Sequence, residues 1–200
     1  LNTHDTSDNN QVFATLFRLR DVSLHPQLAD GGQLLAVKPK KALKTLMLES
    51  GKMSSLLKTL DKIQKKQEKC IIFMVNKRLQ SFLSIALGQL YNLGPLSIIN
   101  GDAKAVAKKA SVPTRKSMIV DFESKKGFNL IIMSPVAAGV GLTVVGANNV
   151  IHYERHWNPA KEAQATDRVY RIGQTKDVNV FIPILHHPSG EIESFDVNLH

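Results

Sequence analysis

The chain holds 200 residues, of which 43 % are apolar and 22 % charged, the proportions of an ordinary globular domain with room for one sizeable core. Lysine and arginine number 26 against 17 acids, a formal charge of +9; the longest apolar run, 70–75, is far short of the roughly 20 residues a membrane helix needs. One cysteine, Cys70, excludes an internal disulfide framework and a cysteine zinc site, and its place inside that apolar run reads as core packing in a reducing compartment.

Residues 1–10 are polar and read as frayed, and no secretory leader is visible there. The chain opens on Leu1 rather than Met, so it reads as a piece of a longer polypeptide. From Gln11 to His25 a helical period runs through Val12, Phe13, Leu16 and Leu19 until Pro26 stops it. Asp30-Gly31-Gly32 is a turn, and helical patterns follow over 39–49 and 52–67. CIIFMV (70–75) is a wholly apolar run of the kind a buried parallel strand requires. A helix over 79–91 and a strand over 96–100 come next, then an Ala- and Lys-rich connection and a capped helix over 114–123. NLIIMS (129–134), VIHYE (150–154) and VNVFIPIL (178–185) are three further strands. A small-residue segment (135–147) precedes the second of them, and a helix over 159–171 with Pro at its first turn precedes the third. Strands alternating with helices predict an α/β domain: a parallel sheet of about five or six strands sandwiched between helices. Residues 1–49 read as an N-terminal helical extension and residues 50–200 as the domain proper.

Charge is concentrated. Residues 38–78 carry twelve Lys or Arg against Glu49, Asp61 and Glu68, and residues 104–126 carry seven against Asp121 and Glu123. A basic face of this kind attracts phosphate backbones through counterion release, although a solvated Lys-rich helix face gives the same composition. In parallel sheets, ligands bind at the carboxyl ends of the strands, which draws attention to the loops after Val75, Asn100, Ser134 and Glu154. In AKEAQATDRVYRI (160–172), Gln164, Arg168 and Arg171 stand at i, i+4 and i+7, one stripe of a helix. Two guanidiniums one turn apart repel unless an anion lies between them. A triphosphate would satisfy them; so would a plain helix pair between Asp167 and Arg171. In SPVAAGVGLT (134–143), Gly139 and Gly141 allow a close approach of backbone to a phosphate or to another main chain. The seven histidines show no metal-ligand spacing.

Five segments taken together carry a resemblance: LRDVSLHP (19–26), SGKMSSL (50–56), CIIFMVNK (70–77), SPVAAGVGLTVVGANNVIHYERHWNP (134–159) and QATDRVYRIGQ (164–174). Their order and spacing resemble the C-terminal, RecA-like lobe of Swi/Snf-type DNA-dependent ATPases, within the superfamily-two helicases, over about residues 16–185. The wording ERHWNPAKEAQATDRVYRIGQ is more similar to bacterial members than to eukaryotic remodellers. The resemblance implies that QATDRVYRIGQ is helicase motif VI, with Arg168 and Arg171 as arginine fingers and Gln164 and Asp167 on the nucleotide side. SPVAAGVGLT is similar to motif V, which implies nucleotide-sensing roles for Gly139 and Gly141 and DNA-backbone contacts for Ser134 and Ala137. Asn76 and Lys77 resemble motif IV, and Asn100-Gly101 the short motif after it, both on the DNA side; Trp157 of the W-N-P element is implied to approach the DNA, or to be a packed turn aromatic.

The implied partners are double-stranded DNA and the first lobe of the same polypeptide, the implied cofactors ATP and Mg²⁺, held mainly by that first lobe. The fragment is expected to be monomeric, away from membranes, in a bacterial cytoplasm near the nucleoid, or in a nucleus if eukaryotic. Two departures stand out: Thr143 where many relatives carry Asn, and Asp21-Val22-Ser23 where many carry Gln-x-Cys. A P-loop needs G-x-x-x-x-G-K-[ST]. Here Gly51-Lys52 is followed by Met53, and MIVD (118–121), the nearest imitation of an acidic strand end, falls in a predicted helix. The chain by itself is therefore expected not to hydrolyse ATP. The alternative is a non-catalytic basic α/β module whose arginines merely bind nucleic-acid backbone.

Overall fold

The computed structural model describes residues 4–36, 39–103, 113–138, 141–186, 189–190 and 196–197. Helix α1 (His4–Leu24) is followed by a 3-10 helix at Pro26–Gly31 and by α2 (Lys40–Leu48) and α3 (Gly51–Lys65). Then come β1 (Lys69–Phe73), α4 (Lys77–Tyr91), β2 (Ile98–Ile99), α5 (Arg115–Ser124) and β3 (Asn129–Met133). The short α6 (Pro135–Ala138), β4 (Asn149–His152), α7 (Pro159–Thr166) and β5 (Asn179–Phe181) complete the order.

The strands form one parallel sheet in the order β2-β3-β1-β4-β5. A strand covered on both faces must be apolar at successive positions, and β1 shows the consequence. Cys70 and Ile72 join one core cluster, whereas Ile71 and Phe73 join the other. The first cluster takes the apolar faces of α2, α3 and α4, among them Met47, Leu56, Leu60, Phe82 and Leu83. The second takes Ile119 and Phe122 of α5, Ala137 of α6 and Ala165 of α7. This is the doubly covered α/β sheet that the sequence predicts. Leu24, Leu28, Leu34 and Leu43 belong to the first cluster, so the segment before residue 50 shares the core of the sheet. No helix among the described residues is long and apolar enough to cross a membrane.

Local chemistry fixes where the helices start. Ser50 Oγ accepts from Met53 N (3.2 Å) at the head of α3, and Asn76 Oδ1 from Leu79 N (3.1 Å) at the head of α4. Thr114 and Ser117 form a reciprocal capping box on α5. Asn158 caps α7, with Pro159 in its first turn. After α4 the chain turns on Asn92 in the left-handed region (φ 58°). Gly88 lets this turn close: a Cβ there would lie 2.0 Å from Gly94 O.

Three expectations are corrected. Helix α1 begins at His4, not Gln11. β5 stops at Phe181 instead of 185, because Pro183 has no N–H for the ladder. α7 stops at Thr166 instead of continuing to Arg171, with consequences for the site.

Candidate nucleotide and DNA interface

Gln164 lies in α7, but Arg168 and Arg171 lie in the turns after it, so the three do not form one helical stripe. Arg168 O is taken by Val144 N (3.0 Å), from the loop between β3 and β4, and so is lost to the helical ladder. The chain tightens instead through Arg168 N to Ala165 O, Val169 N to Thr166 O and Arg171 N to Val169 O. Val169 is buried in the second core cluster, while Arg168 is half-buried and Arg171 exposed. Arg171 Nη1 donates to Thr143 Oγ1 (2.9 Å). The helix pairing with Asp167, which would have explained Arg171 by itself, is replaced by this contact; Asp167 is exposed. Gln174 Nε2 donates to Val145 O (3.1 Å) and Ala147 O (2.7 Å). Two stretches far apart in sequence, 143–147 and 168–174, are thus bound to each other at four points. Gly141, two residues before the first stretch, is exposed and at φ +67°, a conformation that favours glycine. Gly139 lies outside the described residues.

A second assembly occupies the carboxyl edge of the sheet. Asn76 follows β1, Asn100-Gly101 follow β2 and Ser134 follows β3. Glu154 follows β4; it is almost fully buried and accepts from Val75 N (2.7 Å) and Asn76 N (2.6 Å). Burial pushes its carboxyl up, against the pull of those amides and of Arg20, whose Nε lies 3.4 Å away. Asn76 is fully engaged: besides capping α4, its Nδ2 donates to Asp21 Oδ1 (3.3 Å). Buried Gln80 donates to Met74 O (2.9 Å) and accepts from Asn100 Nδ2 (2.7 Å), tying the ends of β1 and β2 together. Asn100 Oδ1 in turn accepts from Asp102 N (2.9 Å), and Lys77 Nζ meets Asp102 Oδ1 (2.8 Å) in an exposed pair. Ser134 is half-buried and its N–H donates to Ile99 O (2.8 Å). The methyl of Ala137 is in the core, so only its main chain is available.

Trp157 is 47 % exposed and stands edge-on to Phe17 of α1 (centroids 6.3 Å, 79°). Below it, buried Arg155 donates through Nε to both oxygens of Glu162 (2.8 and 3.0 Å), which also accepts from His156 N (2.7 Å). His152 stacks on Phe73 (5.1 Å) and its Nε2 meets Thr166 Oγ1 (2.8 Å). Burial pulls its imidazole down to about 4, so it is neutral near pH 7.

Sequence reasoning missed Arg20, Asp21, Gln80 and Glu154. Glu154 carried one signal: an acid ending an apolar strand on the edge where ligands bind. Two sequence features lie elsewhere. Lys52 of the lone Gly-Lys pair is buried against Asp196 (2.6 Å), and Asp121 of MIVD sits on α5 in an exposed pair with Lys125 (2.9 Å).

The sequence profile of the helicase conserved C-terminal domain matches residues 51–173. Zorya protein ZorD of Escherichia coli O139:H28 is 41 % identical over 189 residues, which cover 94 % of this chain and 16 % of ZorD. DNA excision repair protein ERCC-6-like 2 of Mus musculus is 35 % identical over 134 residues, 66 % of this chain and 8 % of that protein. The chain thus spans less than a fifth of either relative. Among solved structures, the Sulfolobus solfataricus SWI2/SNF2 ATPase core in complex with dsDNA aligns with a TM-score of 0.66 at 29 % identity, covering 88 % of this chain and 32 % of that one. The C-terminal part of the Fun30 ATPase domain aligns with a TM-score of 0.60 at 31 % identity, covering 78 % and 45 %.

Proposed function

The chain belongs to the helicase conserved C-terminal domain family, as the C-terminal RecA-like lobe of a Swi/Snf-type ATPase, and from that premise we propose that it serves as the arginine-bearing, DNA-gripping half of an ATP-dependent DNA translocase. The observation that carries the reading is the joining of 143–147 to 168–174, which leaves Arg171 exposed and held by one hydrogen bond while Arg168 is anchored through its main chain.

The donor set suits a polyphosphate. Arg168 and Arg171 supply guanidiniums and Gly141 an unhindered peptide; Gln164 stands on α7 ahead of them and Asp167 is the nearby acid, and Gly139 is assigned to the nucleotide side from its motif alone. ATP supplies the phosphoryl group whose transfer to water drives the cycle, and the first lobe, upstream in the same polypeptide, holds most of it together with Mg²⁺. Closure of the two lobes brings Arg168 and Arg171 toward the charge that develops on the γ-phosphate, an effect worth roughly 10³–10⁵ in rate for arginine fingers. The isolated chain, without the first lobe, hydrolyses no ATP.

The DNA side is the carboxyl edge. Lys77 is its exposed cation and Trp157 its exposed aromatic. Gly101 and the main chain at Ser134 and Ala137 line the same edge, and Asn76 and Asn100 organise it rather than reach out, since their side chains are committed to caps and to Gln80. The SWI2/SNF2 core that this chain resembles was solved with double-stranded DNA, which supports duplex DNA as the partner. In this reading residues 1–49 are an extension and residues 50–200 the motor lobe.

The test is made in the full-length protein. Arg168→Ala and Arg171→Ala should each lower DNA-stimulated ATPase by about 10³-fold or more while circular dichroism and melting stay close to those of the parent. Near-normal turnover in both variants removes the finger assignment and leaves a backbone-binding module.

A further inference from the structure

Four residues of α1 stand at i, i+3, i+4 and i+7: Phe17, Arg20, Asp21 and Leu24. This spacing puts them on one stripe of the helix. Each meets a different part of the carboxyl edge. Phe17 holds the edge of Trp157, Arg20 Nε lies 3.4 Å from Glu154 Oε1, Asp21 accepts from Asn76 Nδ2 at 3.3 Å, and Leu24 O accepts from Tyr153 Oη at 2.8 Å. The stripe is also internally braced, with Arg20 5.1 Å from the Phe17 ring centroid and 3.4 Å from Asp21.

Glu154 is the centre of this arrangement. The N–H groups of Val75 and Asn76, at the junction of β1 and α4, are donors that an anion would otherwise seek. A buried carboxylate fills them and fixes the direction in which α4 leaves the sheet. Lys77 and Arg78 are the next residues along. Arg78 is placed from the same helix: its Nη2 lies 3.9 Å from Asp21 Oδ2. The orientation of the α4 head thus depends on α1, which lies outside the span matched by the family profile.

We propose that α1, acting through Glu154, is a positioning element for the DNA grip: the stripe Phe17–Arg20–Asp21–Leu24 sets the head of α4 and Trp157 so that Lys77 and Trp157 meet the duplex in register. The proposal rests on the reading of Lys77 and Trp157 as DNA contacts. Phe17, Arg20, Asp21 and Glu154 touch neither nucleotide nor DNA in it. They act on affinity for DNA, not on the chemical step.

The experiment uses the full-length protein and a duplex oligonucleotide, measuring the DNA concentration for half-maximal ATPase, kcat at saturating DNA, the salt dependence of binding, and the melting temperature. Arg20→Gln and Glu154→Gln should each raise the half-saturating DNA concentration about tenfold with kcat at saturating DNA within twofold; the double variant should be no worse than the poorer single one, and Arg20→Lys should recover most of the loss. Lys77→Ala is the control on the underlying reading and should reduce the salt slope by about 1. If Lys77→Ala leaves the slope unchanged, the DNA reading falls and this proposal with it. If Lys77→Ala reduces the slope but Arg20→Gln and Glu154→Gln bind DNA as the parent does, or lose kcat and melting temperature without losing affinity, the proposal alone is overturned. Should Glu154→Gln fail to fold, Arg20→Gln and Phe17→Ala, both on the half-exposed face of α1, decide the matter by the same affinity readout.

Discussion

Thr143 is where a departure from the family wording meets the site. Its Oγ1 accepts from Arg171 Nη1, and this contact orients a side chain that otherwise stands in solvent. A hydrogen bond of this kind at an exposed position is worth about 1 kcal/mol, or roughly fivefold in rate if it acts on the reacting geometry. Under the proposed function, Thr143→Val should therefore lower the kcat of ATP hydrolysis by the full-length protein by about fivefold with little change in melting temperature, whereas Thr143→Asn, which keeps an acceptor, should stay near the parent value. Equal kcat in both variants would show that Arg171 needs no such support. At this scale the motif drew attention to Arg168 and Arg171, but not to the fact that both lie in the turns after α7 and not on it. For Glu154 the sequence showed only its position at a strand end, and not its role, which depends on two amide donors 79 and 78 residues away. It was silent on Asn76, where the motif suggests an outward contact and the structure shows a cap.

At the scale of elements, legibility follows from how local the deciding physics is. β1, β3 and β4 were readable because a doubly covered parallel strand admits only apolar runs. Thr114 was readable as a helix start because a cap and its orphan N–H lie within three residues. The end of α7 was not readable, because the carbonyl of Arg168 goes to Val144 N, 24 positions distant in sequence, and not to a continuing helical ladder. Ser50 shows how a local cap acquires a second, distant role, since it caps α3 while its Oγ–H also donates to Leu24 O (3.0 Å), which Tyr153 Oη shares. Ser50→Ala removes both bonds in a buried place. It should destabilise the protein by about 2 kcal/mol, combining a typical cap loss with a weakened buried carbonyl. Urea unfolding of the chain will show this as a lower midpoint at unchanged slope; a loss under about 0.5 kcal/mol would mean that water replaces the hydroxyl.

For the molecule as a whole, the buried pair of Lys52 and Asp196 is the longest-range ionic tie among the described residues. The two side chains are 1 % and 2 % exposed, Nζ and Oδ1 are 2.6 Å apart, and Nζ lies 5.7 Å from the Tyr153 ring centroid. Asp196 Oδ2 also accepts from Leu185 N. Burial pulls the Lys52 ammonium below its ordinary range, and Asp196 pulls it back up. Removing one partner leaves the other charge buried by itself, so Lys52→Met should cost about 3–5 kcal/mol, read as a fall in melting temperature, while Lys52→Met with Asp196→Leu should recover most of it. If the double variant melts no higher than the single one, the pair contributes through shape and not through charge compensation.

That pair also sets a schedule. Lys52 and Asp196 are 144 residues apart, and a ribosome adding roughly 5–20 residues per second separates their appearance by about 7–30 s. During that interval the lysine sits at the head of α3 with its counter-charge not yet made. The helix cannot bury it without deprotonation, so the packing of α3 around Lys52 has to wait until Asp196 has been made. The α3 face that continues from Lys52 through Leu56 and Leu60 then stays open on the nascent chain for the same interval.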